Sequence, residues 1–425
     1  LKVSLEPGSE IVKTYLYRKF VKEGDSPAKA QVAAAVDDSY DRLIAPSVER
    51  EIRNDLTDNA SEGAIKVFSD NLKHLLMQSP LKGKTVMGFD PGYRTGCKLA
   101  VVDKTGKVID TAVIYPTKPQ ERIAESTKIV SGLIRKYGVE VIAIGNGTAS
   151  KESEIFIAGL LRDAGFNCKY TMVSEAGASV YSASKLGAEE FPDFDVTQRS
   201  AVSIARRLQD PLAELVKIEP KAVGVGQYQH DMKPARLDTA LTGVVEDCVN
   251  SVGVDVNTAS HSLLAYIAGI NATSAKNIVK YREENGEFSS RAEILKVAKI
   301  GPKAYEQCAG FLRIRDAANP LDNSAVHPES YSIVDRMAAS LGVSTRELVG
   351  NAELCSRIKA ADFVTEKAGL PTINDILKEL VKPGLDPREQ AAEFAFAEDV
   401  HSIDDLRPGM ELPGIVTNIT NFGAF

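Results

Sequence analysis

The sequence predicts a multidomain, mainly α-helical chain interrupted by one α/β domain on a mixed sheet. Three observations predict it. Apolar residues recur at helical spacing over residues 9–78 and again over 328–396. Between residues 84 and 216 the pattern changes to short apolar runs alternating with helical stretches. At 425 residues the chain is also too long for a single core.

Residues 1–80 read as a helical segment. Val12, Leu16 and Phe20 lie four apart, Val32, Val36, Tyr40 and Leu43 repeat the period, and Ile65, Phe68, Leu72 and Leu75 do so again. Ser26-Pro27 has the form of a helix start. The stretch SPLKGK from Ser79 breaks the pattern. Residues 81–216 form the α/β domain, with strands expected at Thr85–Phe89, Cys97–Val102, Val108–Tyr115, Val141–Ile144 and Lys169–Val173. The first three are joined by short turns and should form an antiparallel meander. Helices expected over Gln120–Tyr137 and Lys151–Ala164 precede the fourth and fifth strands. Residues 217–256 read as a helical connector. Residues 257–325 hold two helix–glycine turn–helix units, and 326–400 are helical again with Pro and Gly breaks. Residues 401–425 turn β-like. The chain opens on Leu1 and ends on Phe425, both within patterned sequence, so it is expected to be an internal stretch of a longer protein.

Composition narrows the function classes. No apolar run approaches the roughly 18 residues that span a membrane, so no membrane partner is expected. The five cysteines are far apart and never form a C-x-x-C pair, which argues against a zinc ribbon or disulfide framework and for a cytoplasmic setting. His74 reads as a helix-boundary residue. Net charge is −7, so the overall field does not attract nucleic acid. Residues 257–316 depart from this with nine Lys/Arg against six Asp/Glu. This segment is the candidate electropositive island.

Two glycines, Gly269 and Gly301, mark the turns of that island. Apolar residues flank each, and a second short helix follows. Glycine lets a backbone approach closely, and a helix start favours phosphate. Lys276, Lys280 and Arg282 flank the first turn; Lys299 and Lys303 flank the second. The pair resembles the helix-hairpin-helix module, which binds nucleic-acid backbone. Further along, GIVTNITNFGAF resembles the opening of an OB-fold RNA-binding domain, with Phe422 and Phe425 at base-stacking positions.

Asp90 ends the first strand of the α/β domain and is held extended by Pro91. Actin-like ATPases begin this way, but they need a second Gly-rich phosphate loop that this sequence lacks. RNase H-like nucleases of the RuvC and YqgF groups also begin this way, and they use further carboxylates to hold two metal ions. Glu175 is placed like the acidic residue after the fifth strand of YqgF-type domains. Gly145 and Asn146 stand where RuvC-type enzymes carry Glu. Gln198 and Arg199 stand where a last helix should present Asp, with Asp195 one turn earlier. Asp90 and Glu175 are therefore the candidate catalytic pair, with Mg²⁺ only on the nuclease reading. The bland reading makes Asp90 a turn cap and Glu175 a helix-start residue. Arg206-Arg207 is either a phosphate contact or a solvated face paired with Asp210 or Glu214.

As a series, GFDPGYRTGCKLAVVDKTGKV, AIGNGTAS, SEAGASVYSAS, SIARRLQDPLAELVKIEPK, GVGQYQHDM, the two hairpins, CAGFLRI, PLDNSAVHPE and KPGLDPRE resemble the Tex family of bacterial transcription accessory proteins. The resemblance implies a YqgF-like domain, tandem helix-hairpin-helix motifs and a C-terminal OB-fold on a helical scaffold. It implies binding of RNA, DNA or both, an effect on transcription with the transcription machinery as a further partner, and no established enzymatic chemistry or cofactor. The alternatives to weigh are a metal-dependent structure-specific nuclease and a scaffold that touches nucleic acid little. Within Gly224–Met232, His230-Asp231 reads as a structural corner rather than a proton relay.

Overall fold

The computed structural model describes residues 8–390 apart from 225 and 227, together with residue 5 and residues 407–411, 419–420 and 423–424. Phe422 and Phe425 lie outside the described residues, as does most of the expected OB segment. Its described part includes a two-residue antiparallel bridge, Ile419–Thr420 with Gly423–Ala424. The chain divides into two compact units: Leu1–Asn71 with Val225–Leu241, and Leu72–Gly224 with Thr242–Phe425.

The first unit is helical, as the 3.6-residue period requires. Helix Ser9–Phe20 packs on Lys29–Asp38, where Tyr17 donates to Asp37 at 2.5 Å and Lys13 pairs with Asp41 at 2.9 Å. The second helix runs through a π turn, Ser39–Ile44, into the 32-residue helix Ala45–Leu76. Val36, Tyr40, Ile65 and Phe68 are buried, all from the periodic set. Lys233 and Arg236 pair with Asp58 and Glu62 of the long helix at 2.8 and 2.7 Å. His230 and Asp231 lie in a single 3-10 turn, Gln229–Asp231.

The second unit begins with the α/β domain. Its strands are β1 Val86–Asp90, β2 Cys97–Val102, β3 Val108–Ile114, β4 Val141–Gly145 and β5 Lys169–Val173. The sheet order is β3-β2-β1-β4-β5. β1, β2 and β3 form the antiparallel meander that short turns enforce. β4 and β5 run parallel to β1, because helices Ile123–Tyr137 and Ser150–Ala164 carry the chain back each time. Strand alternation then sorts the core. Met87, Phe89, Leu99, Ile142 and Ile144 face those two helices. Val86, Ala100, Val102 and Ala143 face a third helix, Val196–Gln209. That helix lies so close to β1 that a Cβ on Gly88 would collide with the Ala201 carbonyl oxygen. By the same alternation Asp90 shares the face of Val86 and Gly88 and looks toward this helix.

Beyond the sheet, a parallel bridge of Val254–Asp255 with Leu312–Arg313 brackets the two hairpins. The following helical domain has its own core of Val334, Met337, Leu348, Ile373 and Leu380.

Candidate functional site

The tandem hairpins repeat at the level of the backbone, though not in the alignment that their glycines imply. In the first, helix His261–Leu264 leads to Gly269 at φ 79°, then to Asn271, the N-cap of helix Ala272–Asn285. In the second, a 3-10 turn at Arg291–Lys296 leads to Lys299 at φ 66°, then to Gly301, the N-cap of helix Pro302–Cys308. The left-handed residues are therefore Gly269 and Lys299. The N-caps are Asn271 (φ −99°, ψ 171°) and Gly301 (φ −94°, ψ 177°). Pairing Gly269 with Gly301 is off by two residues.

The two hairpins pack on each other. A Cβ on Gly269 would stand 2.7 Å from Gln307 Cβ and 2.9 Å from the Ala304 carbonyl oxygen. In return, the Asn277 amide donates to the Ala298 carbonyl at 2.8 Å. Gly269 thus serves the hairpin pair, while around Gly301 a Cβ would meet nothing within 4 Å. The first turn also caps itself, since Asn271 Oδ1 accepts from the Thr273 and Ser274 amides at 3.0 Å. Gly301 has no side chain with which to do so.

The basic residues divide sharply. Lys276, Lys280, Lys299 and Lys303 are exposed. Lys280 pairs with Glu284 at 3.6 Å; the other three form no ion pair among the described residues. Of the arginines counted in the electropositive island, Arg291 and Arg313 are buried and Arg282 is half-buried. Arg282 donates to the Val256 carbonyl at 2.7 Å. Arg291 is 1% exposed and spends its guanidinium on the Leu312, Ser324 and Val326 carbonyls and the Tyr331 hydroxyl. Arg313 pairs with Glu379.

In the α/β domain, Asp90 lies at the end of β1 with Ser200, Glu175 and Lys98 acting on its carboxyl. Burial pushes its carboxyl up to about 6; the Glu175 charge adds to this, while a hydrogen bond from Ser200 and attraction to Lys98 oppose it. Glu175 lies against the loop after β4, where the absent Glu of RuvC-type enzymes would stand. A Cβ on Gly145 would be 2.7 Å from Glu175 Oε2, and one on Gly147 would overlap the carboxylate. Those glycines leave room for an acid delivered from the next strand. Arg199 donates to the Phe191 and Ser182 carbonyls at 3.0 and 3.2 Å. Gln198 and Asp195 are committed to a capping box that starts the last helix. Arg206 bonds the Gly106 carbonyl and pairs with Glu190 at 3.3 Å, rather than with Asp210 or Glu214.

Lys98 was missed by sequence reasoning, and the solvated face expected for Arg207 is corrected by its burial. Lys98 pairs with Asp90 in the β1–β2 register and is 6% exposed. Arg207 is 4% exposed and donates to the Ser174 and Ala176 carbonyls on either side of Glu175. Counting back through the hairpin turn would have put Lys98 opposite Asp90; the Arg206-Arg207 run stands out in the sequence, but nothing local shows that Arg207 turns inward toward Glu175. Among the described residues, no group of three or more His, Cys, Asp or Glu side chains is placed to hold a metal ion.

Comparison with known proteins places these sites in context. Residues 84–209 match the Tex protein YqgF-like domain, 249–313 a helix-hairpin-helix motif and 319–388 an HHH domain. The last match adds a hairpin-type domain where the sequence reading had only a helical one. The chain is 50% identical over 429 residues to uncharacterized protein YdcI of Bacillus subtilis (strain 168), covering 100% of this chain and 60% of the relative. It is 55% identical over 380 residues to transcriptional accessory protein Tex of Neisseria gonorrhoeae, covering 89% and 50%. It is 39% identical over 454 residues to S1 RNA-binding domain-containing protein 1 of Homo sapiens, covering 92% and 45%. The chain thus spans about half the length of the curated relatives it matches.

Proposed function

The chain belongs to the Tex family, and from that premise we propose that it binds the backbone of RNA or DNA through its tandem hairpins, as an accessory to transcription. The observation that carries this reading is the repeated turn. Two left-handed residues and two extended N-caps recur at the same spacing, with Lys276, Lys299 and Lys303 exposed and unpaired beside them. Lysine side chains around such turns neutralise phosphates without reading bases. Binding is therefore salt-dependent and weakly sequence-selective. The similarity to transcriptional accessory protein Tex of Neisseria gonorrhoeae supports a role beside the transcription machinery, and a cytoplasmic setting is part of the same proposal. No described helix is long and apolar enough to cross a membrane. The test is a titration of the protein against DNA and RNA at several salt concentrations. Lys299→Glu with Lys303→Glu should weaken binding and flatten the salt slope; unchanged affinity rejects the hairpin site.

One observation favours a second reading, a nuclease using Asp90 and Glu175. The two carboxylates are electrostatic neighbours, and Arg199 is bonded elsewhere. The residues present fit a divalent ion poorly. Among the described residues no third carboxylate joins Asp90 and Glu175 in a metal-holding group, and Lys98 and Arg207 stand beside them. Incubation with branched DNA and RNA in Mg²⁺ or Mn²⁺ decides the matter. Cleavage abolished by Asp90→Asn would replace the binding reading.

A further inference from the structure

We infer that the nuclease-like centre is charge-closed: Lys98 and Arg207 are built-in counter-ions to Asp90 and Glu175, and Lys98 is the residue that keeps a divalent cation out. This rests on the α/β domain and is independent of the hairpin reading.

Lys98 and Asp90 are directly opposed across the antiparallel pair, so their side chains leave the sheet on the same face. The ammonium is not free to swing away. It donates to the Thr95 carbonyl at 2.7 Å and the Gly96 carbonyl at 2.8 Å, and these clamp it to the turn that follows Asp90. A lysine at 6% exposure keeps its charge only beside anions. Burial lowers its proton affinity, and the anions that oppose this are Asp90 and Asp195.

Arg207 does the same behind Glu175. Its Nη1 holds the Ser174 and Ala176 carbonyls at 2.8 and 2.7 Å, so it fixes the two residues that bracket the acid. Its Nε and Nη2 are buried with no hydrogen-bond partner. The fields that answer its charge come from Glu214 and Glu175.

The third acid a metal would need is already used. Asp195 Oδ1 accepts from the Thr197 amide at 2.8 Å, the Thr197 hydroxyl at 2.6 Å and the Gln198 amide at 2.8 Å. Asp90 and Glu175 thus each stand beside a cation held in place by backbone carbonyls, before any ion arrives. A divalent ion would bring its charge next to a clamped ammonium in a partly dry site, where like charges are poorly screened.

The test is Mn²⁺ titration of the full chain, followed by the electron paramagnetic resonance signal of free Mn²⁺. Lys98→Gln keeps a polar N–H donor and removes the charge. It should gain one Mn²⁺ site with a Kd at least tenfold below that of the wild-type chain, and Asp90→Asn in the same background should abolish the gain. Lys98→Arg should behave as wild type. Wild-type protein that binds one Mn²⁺ as tightly as Lys98→Gln, in an Asp90-dependent way, overturns the inference. So does a folded Lys98→Gln that gains nothing. If Lys98→Gln melts too low to titrate, thermal denaturation of Lys98→Met, Asp90→Asn and the double variant carries the test. Coupled effects support the counter-ion pair, and additive effects overturn it.

Discussion

Lys299 holds a left-handed backbone conformation, φ 66°, at the position where the first hairpin has Gly269. For an L-residue that conformation costs roughly 1–2 kcal/mol, and glycine escapes most of it. A strained lysine at an exposed turn fits a site where the ammonium is wanted more than the stability. Lys299→Gly should therefore raise folding stability by about 0.5–1 kcal/mol in urea denaturation, while weakening binding to single-stranded RNA and duplex DNA. A variant that is both more stable and equally tight would remove Lys299 from the interface. Asp90 makes the opposite kind of trade. Its folded carboxyl keeps a proton up to about pH 6, against an ordinary 3.8. Ionising it costs stability as pH rises through that window, and the cost persists above it. Relative to its value at pH 3, the stability difference between Asp90→Asn and wild type should therefore move in the variant's favour by up to about 3 kcal/mol by pH 8. A Tm difference that is independent of pH would mean that the carboxylate is not desolvated. Asp90 and Glu175 were legible because strand ends advertise acids. Lys98 and Arg207 were not, because a counter-ion's role depends on register and burial that no local pattern encodes.

At the scale of the element, the two hairpin glycines looked equivalent in sequence and are not. Gly269 needs both its φ of 79° and the space taken by Gln307 and Ala304. Gly301 needs neither, with φ −94° and open surroundings. Gly269→Ala should cost about 2 kcal/mol and loosen the contact between hairpins. Amide exchange should then rise over residues 265–308. Gly301→Ala should leave stability within about 0.5 kcal/mol of wild type, so any loss of nucleic-acid affinity reports on approach to the ligand alone. Equal destabilisation by both substitutions would contradict the geometry. The strands were easier to read than the hairpins. Short apolar runs bounded by tight turns fix β1 to β5 almost to the residue, because helices bury both faces of the central strands. The hairpin repeat is carried by backbone angles. Lysine at a glycine position and glycine at an asparagine position disguised it by two residues.

Across the second unit, the modules are sewn together by buried arginines that composition counts as surface charge. Arg291 ties the hairpins to the Asp322–Tyr331 segment, and Arg313 reaches Glu379. Arg388 closes the series. At 3% exposure it pairs with Asp386 at 2.8 Å and, across 178 residues of sequence, with Asp210 at 2.7 Å. Lys82 joins at 2.9 Å from Asp386, and the Ser79 hydroxyl donates to the Arg388 carbonyl at 2.6 Å. This is why KPGLDPRE has a pattern of its own: it docks the last helical domain on the end of the helix that also faces Asp90. Burial alone would raise the Asp386 carboxyl, but hydrogen bonds and charge from Arg388 and Lys82 hold it well below the carboxylate range. A depressed carboxylate contributes stability that is present above about pH 4 and is lost as pH falls toward its folded value. Arg388→Met removes the cation and leaves two acids partly buried, which should cost about 3–5 kcal/mol at pH 7. The same substitution should also make the acid limb of the stability–pH curve shallower, because Asp386 then keeps only Lys82 to hold it ionised. Limited proteolysis gives the spatial readout. Cleavage should open first after Leu380 while fragments containing β1 to β5 persist. If the sheet and the last helical domain instead become labile together, the arginine is part of one undivided core, and the docking of separable modules is wrong.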